Sequence, residues 1–533
     1  MTRAWLGGAA AVALLVCLPV VSLLAIAAQG SAGLWSHLAA NVLPAALRDT
    51  LILLAGVGVL VAVVGTGTAW LVTAHDFAGR RLFEWALLLP LAVPTYISAY
   101  AWLDILHPVG AVQGWVRAVL GYSSPREFRL PDVRSMTGCV LLLGLVLYPY
   151  VYLTARAMFV TQAAGLIEAA RTLGERRVFR RVALPLARPA VAVGVSLALM
   201  EALNDIGASE FLGVRTMTVS VYSTWIGRAD LPGAAQISLA MLALVVALVM
   251  LERWARRNQR YAVGQRPRPI GRSALRGWRA GLAMLACAVP VLLGFAAPAT
   301  YLMVEAWKRV AFAGISPTLW TEALNTVLLA SAATVMVLIC GTVAAYAARL
   351  HGRGGLLARA TTLGYAVPGT VLAIGLLPLV AALDRGLIAA GLPAVLLLGG
   401  SGAVLLAYMV RFMAIATGGV ESGFARIPPS LDHASRSLGQ GPSGTFLRVH
   451  LPLSRPALVA LALLVFVDCA KELPATLLLR PLNVETLATH LYGEAARGTY
   501  EEAAIAALVI VAIGMAPVIL LARQPRPRYP GTP

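Results

Sequence analysis

Lysine is almost missing from this chain: of 43 basic residues, all but Lys308 and Lys471 are arginine. Those two follow Trp307 and Ala470 rather than glycine, which excludes the GxxxxGK[ST] loop that cradles nucleotide phosphates. Charge of either sign is scarce, at 13% of residues against about 25% in soluble domains. The few cysteines carry no chemistry either. Cys17, Cys139, Cys287, Cys340 and Cys469 all fall inside apolar stretches without a CxxC or Cys/His pairing, so neither a disulfide framework nor a zinc site is implied. They read as small hydrophobes. No catalytic constellation and no metal-ligand spacing emerges.

What abounds is apolar sequence, 59% of residues, with a mean hydropathy of +0.79. That excludes an ordinary soluble globule and implies an all-α integral membrane protein embedded in the lipid bilayer. The formal charge of +19 lies in short arginine-bearing segments between apolar runs, a pattern that topology explains and nucleic-acid binding does not. Arg3 followed by apolar sequence from Ala4 to Ala28 exceeds the roughly 7–15-residue core of a cleaved signal and is expected to be a retained first span.

About 20 apolar residues cross a hydrocarbon core about 30 Å thick. On that measure the first half offers six spans, at Ala4–Ala28, Thr50–Val72, Leu82–Asp104, Gly138–Val160, Pro189–Ala208 and Ala234–Leu251. The second half offers six more, at Gly281–Val304, Asn325–Ala348, Thr361–Leu383, Pro393–Thr417, Pro456–Thr476 and Ala503–Leu521. Arginine retention then predicts which side is cytoplasmic. Arg253, Arg256, Arg257, Arg260, Arg266, Arg268, Arg272, Arg276 and Arg279 mark a basic linker over 253–279, between a first membrane domain at 1–252 and a second at 280–533. With an even number of spans per half, Arg3, Arg80–Arg81, Arg349–Arg359 and Arg523–Arg528 share its side, and both termini are expected in the cytoplasm. The loop from Ile105 to Thr137 must then lie outside, although it holds Arg117, Arg126, Arg129 and Arg134 against Glu127 and Asp132. Longer loops obey the charge bias less strictly.

The halves repeat. AARTLG at Ala169–Gly174 returns as ASRSLG at Ala434–Gly439, and LPLARPA at Leu184–Ala190 returns as LPLSRPA at Leu451–Ala457. AVP at Ala92–Pro94 recurs at Ala366–Pro368, and Gly65–Thr66 at Gly341–Thr342. Both halves run in the same direction, a parallel repeat. Gly174 and Gly439 suit a left-handed helix cap, and Pro189 and Pro456 suit the first turn of the helix that follows.

EAARTLG followed by LPLARPA resembles the signature cytoplasmic loop of ATP-binding-cassette importer permeases. That resemblance implies the type I ABC importer transmembrane fold, here as two tandem six-helix halves with about twelve membrane helices. It implies that Glu168, Ala169, Ala170 and Gly174 in one loop, and His433, Ala434, Ser435 and Gly439 in the other, couple to two copies of an ATPase subunit. The permease would bind no cofactor itself, ATP being used by the partner, and would not be an enzyme. It would sit in the bacterial cytoplasmic (inner) membrane and receive substrate from a periplasmic or extracellular binding protein. The copies differ, since His433, after Asp432, stands where Glu168 does, and Gly174 to Phe179 is shorter than Gly439 to Phe446. MEALNDIGASEFLG from Met200, KELPATLLLRPLNVETLATHLY from Lys471 and YPYVYLTARAMF from Tyr148 are similar to fused permeases of ferric iron importers. Fused permeases for thiamine, phosphonates and polyamines share much of this pattern.

Aligning the halves on LPLxRPA places Glu201, Asn204 and Asp205 over Asp468, Lys471 and Glu472, each set spaced i, i+3, i+4 as on one helix face. For a helix starting at Pro189, Glu201 lies about 18 Å along it, near mid-membrane. A carboxylate there costs about 2.5–3.5 kcal/mol unless it faces a cavity or partner. Symmetric placement of that cost predicts a shared translocation pathway; capping of helix ends, with Asp468 and Lys471 neutralising each other, is the competing reading. For iron as cargo, Tyr148, Tyr150 and Tyr152 add phenolic oxygens suited to a hard trivalent cation, but tyrosine also sits at membrane interfaces for packing reasons, and none of the three is assigned as a metal ligand. A proton-coupled secondary transporter is a different class of function for the same carboxylates, but it gives the repeated loop no role.

Overall fold

The structure, a computed structural model, describes residues 2–31, 33–161, 168–170, 172–175, 177–256, 271–391 and 399–523. Among these residues are 11 helices long and apolar enough to cross a membrane, and 12 if one bent pair counts as a span. That pair, Arg80–Ala92 and Thr95–Ile105, is the expected Leu82–Asp104 span, broken by 93°. Pro94 supplies the break, since it has no N–H to donate and the backbone turns extended at Val93 and Pro94. The fourth span of the second half runs Gly402–Ala425 rather than from Pro393; residues 392–398 lie outside the described residues.

Prolines shape four more helices by one device. Five-residue π-turns at Leu38–Val42, Phe179–Ala183, Leu292–Ala296 and Phe446–His450 are each followed by a residue and then a proline, Pro44, Pro185, Pro298 and Pro452. In each, the residue before the proline donates its N–H five residues back, to Leu38, Phe179, Leu292 or Phe446. The widened turn relieves the clash of a proline ring with the carbonyl four residues earlier. The helices at the two LPLxRPA motifs therefore begin at Leu184 and Leu451 on top of a π-turn, and Pro189 and Pro456 lie inside them. The expectation that these prolines occupy the first turn is corrected accordingly.

The chain packs as two compact units that cut across its two halves. One unit, 1–43, 220–245 and 315–490, joins the core of the second half to the N-terminal helix Thr2–Ala27. That helix runs along Pro317–Leu350 and Gly369–Ala389, and it approaches so closely that a Cβ at Gly375 would lie 2.3 Å from the Pro19 carbonyl oxygen. The other unit, 44–219, 246–314 and 491–533, joins the core of the first half to Trp278–Ala313 and Tyr500–Arg523. There a Cβ at Gly294 would meet the Leu145 oxygen at 2.5 Å, and one at Gly514 the Ala92 oxygen at 2.5 Å. Without water to expel, such small-residue contacts hold membrane helices by van der Waals packing.

Repeat positions do matching work in the two units. A Cβ on Gly65 would lie 2.6 Å from Val151 Cβ, and one on Gly341 would lie 2.6 Å from Ala416 Cβ, so both glycines are demanded by helix contact. Thr50 Oγ1 accepts a hydrogen bond from the Met217 amide at 2.9 Å, and Thr326 Oγ1 accepts one from the Leu487 amide at 2.9 Å. The only strands among the described residues are His75–Asp76 and Ser273–Ala274, a parallel pair that ties the end of the basic linker to the first-half core.

Candidate functional site

Both repeated loops end in the same backbone motif. In the first, residues 168–170 and 172 are helical, the Leu173 amide donates to Ala169 O at 3.0 Å and the Glu175 amide to Ala170 O at 3.0 Å. In the second, the helix Pro429–Ser437 is closed by Leu438 donating to Ala434 O at 3.1 Å and Gln440 to Ser435 O at 3.1 Å. Gly174 and Gly439 sit between with φ of +77° and +76°. This is the glycine cap expected from the sequence, with the amide past the glycine reaching five residues back. No atom crowds either glycine, so the left-handed backbone alone selects it.

The cap turns one apolar side chain outward in each copy. Leu173 is 87% exposed and Leu438 80% exposed. Glu168, Ala169, His433 and Ala434 are exposed beside them, Ala170 is half-buried, and Ser435 is buried on Thr445 through a 2.8 Å hydroxyl contact. Sequence reasoning had passed over the two leucines, although their identity in both copies was the available signal. An open concavity of about 560 Å³ adjoins the first, lined by Ala170, Leu173, Gly174, Glu175, Arg177, Arg181 and Val182. The Arg177 amide, with the Arg181 guanidinium 2.9 Å away, holds the Glu175 carboxyl below the usual carboxylate range. The linker also reaches the first loop, where Gly271 N donates weakly to Glu168 Oε1 at 3.4 Å.

Under each loop lies an aromatic cluster that joins three helices. Trp70 packs on Phe159 and Phe179 at centroid distances of 5.4 and 5.3 Å. Tyr346 packs on Phe424 and Phe446 at 6.0 and 5.0 Å, positions that the repeat aligns one for one. Each pair contributes about 0.5–1.5 kcal/mol beyond its burial, so a loop displacement is resisted by all three helices. The second cluster is larger, with Trp5 4.8 Å from Tyr346 and His450 5.3 Å from it.

Among the described residues, a polar clamp of this composition lies beneath the second loop alone. Arg349 donates to Asp432 Oδ2 at 2.7 and 3.1 Å, and to the Phe424 and Ile427 carbonyls at 2.6 and 3.0 Å. His450 Nε2 lies 2.7 Å from Asp432 Oδ1, close enough for a charge contact though not aligned as a hydrogen bond. The aligned residues of the first half, Thr73, Ile167 and Ala183, have no such chemistry.

The polar residues at the far ends of the LPLxRPA helices are divided by the structure. Counted from Phe179, Glu201 lies about 33 Å along its helix, near its end and not midway. The expected single helix face also stops short: the helices end at Asn204 and Ala470, leaving Asp205, Lys471 and Glu472 beyond them. Asp205 Oδ1 accepts from the Ala208 amide at 2.7 Å, and Thr95 donates to its other oxygen. Glu472 accepts from the Ala475 and Thr476 amides at 2.9 and 3.0 Å and pairs with Arg411 at 2.8 Å. These two carboxylates thus cap the short helices Gly207–Phe211 and Pro474–Leu479. Their partners differ for a steric reason. Gly369 aligns with Thr95, and a Cβ there would lie 2.4 Å from Arg411 Nη1, so the missing side chain makes room for the guanidinium. Asn204 is buried, Glu201 is half-buried, and Asp468 pairs with Lys471 at 2.8 Å with both side chains partly exposed.

Tyr148 and Tyr152 are wholly buried, the latter donating to Glu84 O at 2.8 Å, and Tyr150 is half-buried. Among the described residues no three His, Cys, Asp or Glu side chains converge as a metal site.

Two segments of the chain, 57–261 and 337–529, match the family model of the binding-protein-dependent transport system inner membrane component. A ferric iron transport system permease protein of Haemophilus influenzae is 24% identical over 89% of both chains. A probable molybdenum ABC transporter permease of Haloferax volcanii is 30% identical over 42% of this chain and 80% of its own length. A sulfate transport system permease of Salmonella typhimurium is 28% identical over 45% of this chain and 86% of its own. With the family domain present twice, once in each half around the repeated glycine-capped loop, this chain belongs to the membrane permeases of binding-protein-dependent ABC importers, as a fused two-domain member.

Proposed function

We propose that the chain is the whole translocation pathway of an ATP-driven importer for ferric iron, delivered by an external binding protein and powered by two ATPase subunits at the loops ending in Gly174 and Gly439. The observation that carries the coupling role is the pair of matching caps, each presenting an exposed leucine, Leu173 or Leu438, beside small residues. Apolar side chains held in water by a rigid cap suit insertion into a partner groove. The aromatic clusters beneath would pass the movement to the membrane helices. Iron as cargo is supported by similarity to a ferric iron permease over 89% of both chains, whereas the molybdenum and sulfate permeases match about half of this chain. An oxyanion cargo is the second reading, favoured by the 30% identity to the molybdenum permease.

Glu201 and Asn204 of one half, and Asp468 and Lys471 of the other, are the polar groups proposed to meet the cargo, while Asp205 and Glu472 hold the helix breaks in shape. Weak contacts suit transport, because tight ligation would stall release. Proteoliposomes holding the permease, its ATPase and its binding protein should accumulate radioactive iron on ATP addition, with no competition from molybdate or sulfate. Oxyanion uptake without iron uptake would replace iron by the second reading. Glu201→Ala combined with Asp468→Ala should lower uptake while leaving the complex assembled, and wild-type uptake in that variant would remove the pathway assignment.

A further inference from the structure

The segment between Ile105 and Met136 contains a helix that is inside out. Ala111–Leu120 buries its polar residues and exposes its apolar ones. Gln113, 3% exposed, donates to Leu106 O at 2.6 Å and accepts from the Leu130 amide at 3.0 Å; Arg117, 7% exposed, donates to Pro108 O at 2.8 Å. The flanking chain thus folds over the polar face and satisfies it. The opposite face carries Val112, Trp115 and Val119, with Trp115 68% and Val119 65% exposed, and Val109 and Leu120 continue the apolar surface at the two ends. Gly121 caps the helix with φ +80°, and Tyr122 stacks on Phe128 at 5.4 Å, so the turn that presents this face is itself ordered by contacts.

We infer that this helix lies flat on the bilayer, with Val112, Trp115 and Val119 set into the boundary between headgroups and acyl chains. Two observations select lipid as the occupant. The segment connects the span ending at Ile105 to the span beginning at Met136, so the helix is tethered at both ends to membrane crossings and is held close to the bilayer surface, and Leu141, just inside the second crossing, is exposed as well. It emerges at the end of Met136–Thr161 opposite the loop capped by Gly174. Charge agrees as well. Arg126, Arg129 and Arg134 are all exposed, while Glu127 is occupied by the Ser123 and Ser124 amides at 2.8 and 3.1 Å. Exposed guanidinium groups beside an interfacial helix complement anionic phosphates, and tryptophan favours the headgroup level. This also accounts for arginines on the one loop whose charge ran against the topology: they serve the membrane surface there.

The test uses the full chain in nanodiscs containing a phospholipid with a photoreactive diazirine high in its acyl chain, followed by digestion and mapping. Cross-links on residues 109–122, formed without any binding protein, are the expected result. They should increase when phosphatidylglycerol replaces phosphatidylcholine, and be lost in Val112→Asp with Val119→Asp while the spans stay labelled. Arg126→Gln with Arg129→Gln should abolish the lipid-charge dependence but keep the cross-links. Labelled spans with an unlabelled 109–122 segment in the wild-type chain would overturn the inference. Aqueous labelling of that segment, blocked only when the binding protein is added, would assign the face to protein docking instead. Cross-links indifferent to phosphatidylglycerol would overturn the role given to the arginines.

Discussion

Asp432 is the residue on which the two loops differ most in mechanical terms. Its carboxylate receives Arg349 in two hydrogen bonds and faces His450, tying the helix Pro429–Ser437 to the ends of two membrane helices. Removing it leaves Arg349 without its anion in a mostly buried site, a loss of about 1–3 kcal/mol. Asp432→Asn should therefore lower the melting temperature of the complex modestly, and it should lower substrate moved per ATP hydrolysed more than it lowers hydrolysis itself. Reversing the pair, Asp432→Arg with Arg349→Asp, should restore only part, because aspartate cannot donate to the Phe424 and Ile427 carbonyls and the new arginine would face His450. Unchanged coupling in Asp432→Asn would show the clamp to be dispensable. None of this was legible in the sequence: residues 349, 432 and 450 form no local pattern, and the first half offers no counterpart from which to infer them. The glycine caps were legible, because a left-handed residue at a helix end has a compositional signature in one short window.

Helices were legible as spans and much less so in their ends. Hydropathy over about 20 residues locates a membrane crossing whatever its internal geometry. It therefore treated Leu82–Asp104 as one rod, although Pro94 breaks it by 93°. The LPLxRPA helices were misjudged for a related reason. A proline near an apolar run suggests a first turn, yet the π-turns at Phe179–Ala183 and Phe446–His450 let the helix begin earlier and carry Pro189 and Pro456 inside. That shift moved Glu201 from the helix middle to its end. Hydropathy also says nothing of packing partners, so the attachment of Thr2–Ala27 to the second-half core went unread. Deleting this helix should uncover Gly375 and remove Trp5 from the Tyr346 cluster. Proteolysis of the deleted protein in nanodiscs is expected to accelerate within 315–490 and to leave the Trp70 cluster region as resistant as before. Equal protection of 315–490 with and without the helix would count against that packing role.

For the molecule as a whole, duplication supplies the architecture and divergence supplies the asymmetry. Each half carries the same glycine cap, exposed leucine, aromatic cluster and helix-break carboxylate, while among the described residues Arg349–Asp432–His450 and Arg411–Glu472 are found in the second half alone. On the proposed function, Leu173 and Leu438 are the points at which ATP hydrolysis is coupled to transport. Because both are exposed, charge can be placed there without disturbing the fold. The most direct measurement is binding-protein-stimulated ATP hydrolysis by the reconstituted complex carrying Leu173→Asp and Leu438→Asp. Loss of stimulation and of ATPase recruitment, with permease level and melting unchanged, is the predicted result. Normal recruitment and stimulation, or uptake that persists in ATP-depleted vesicles holding a proton gradient, would contradict it.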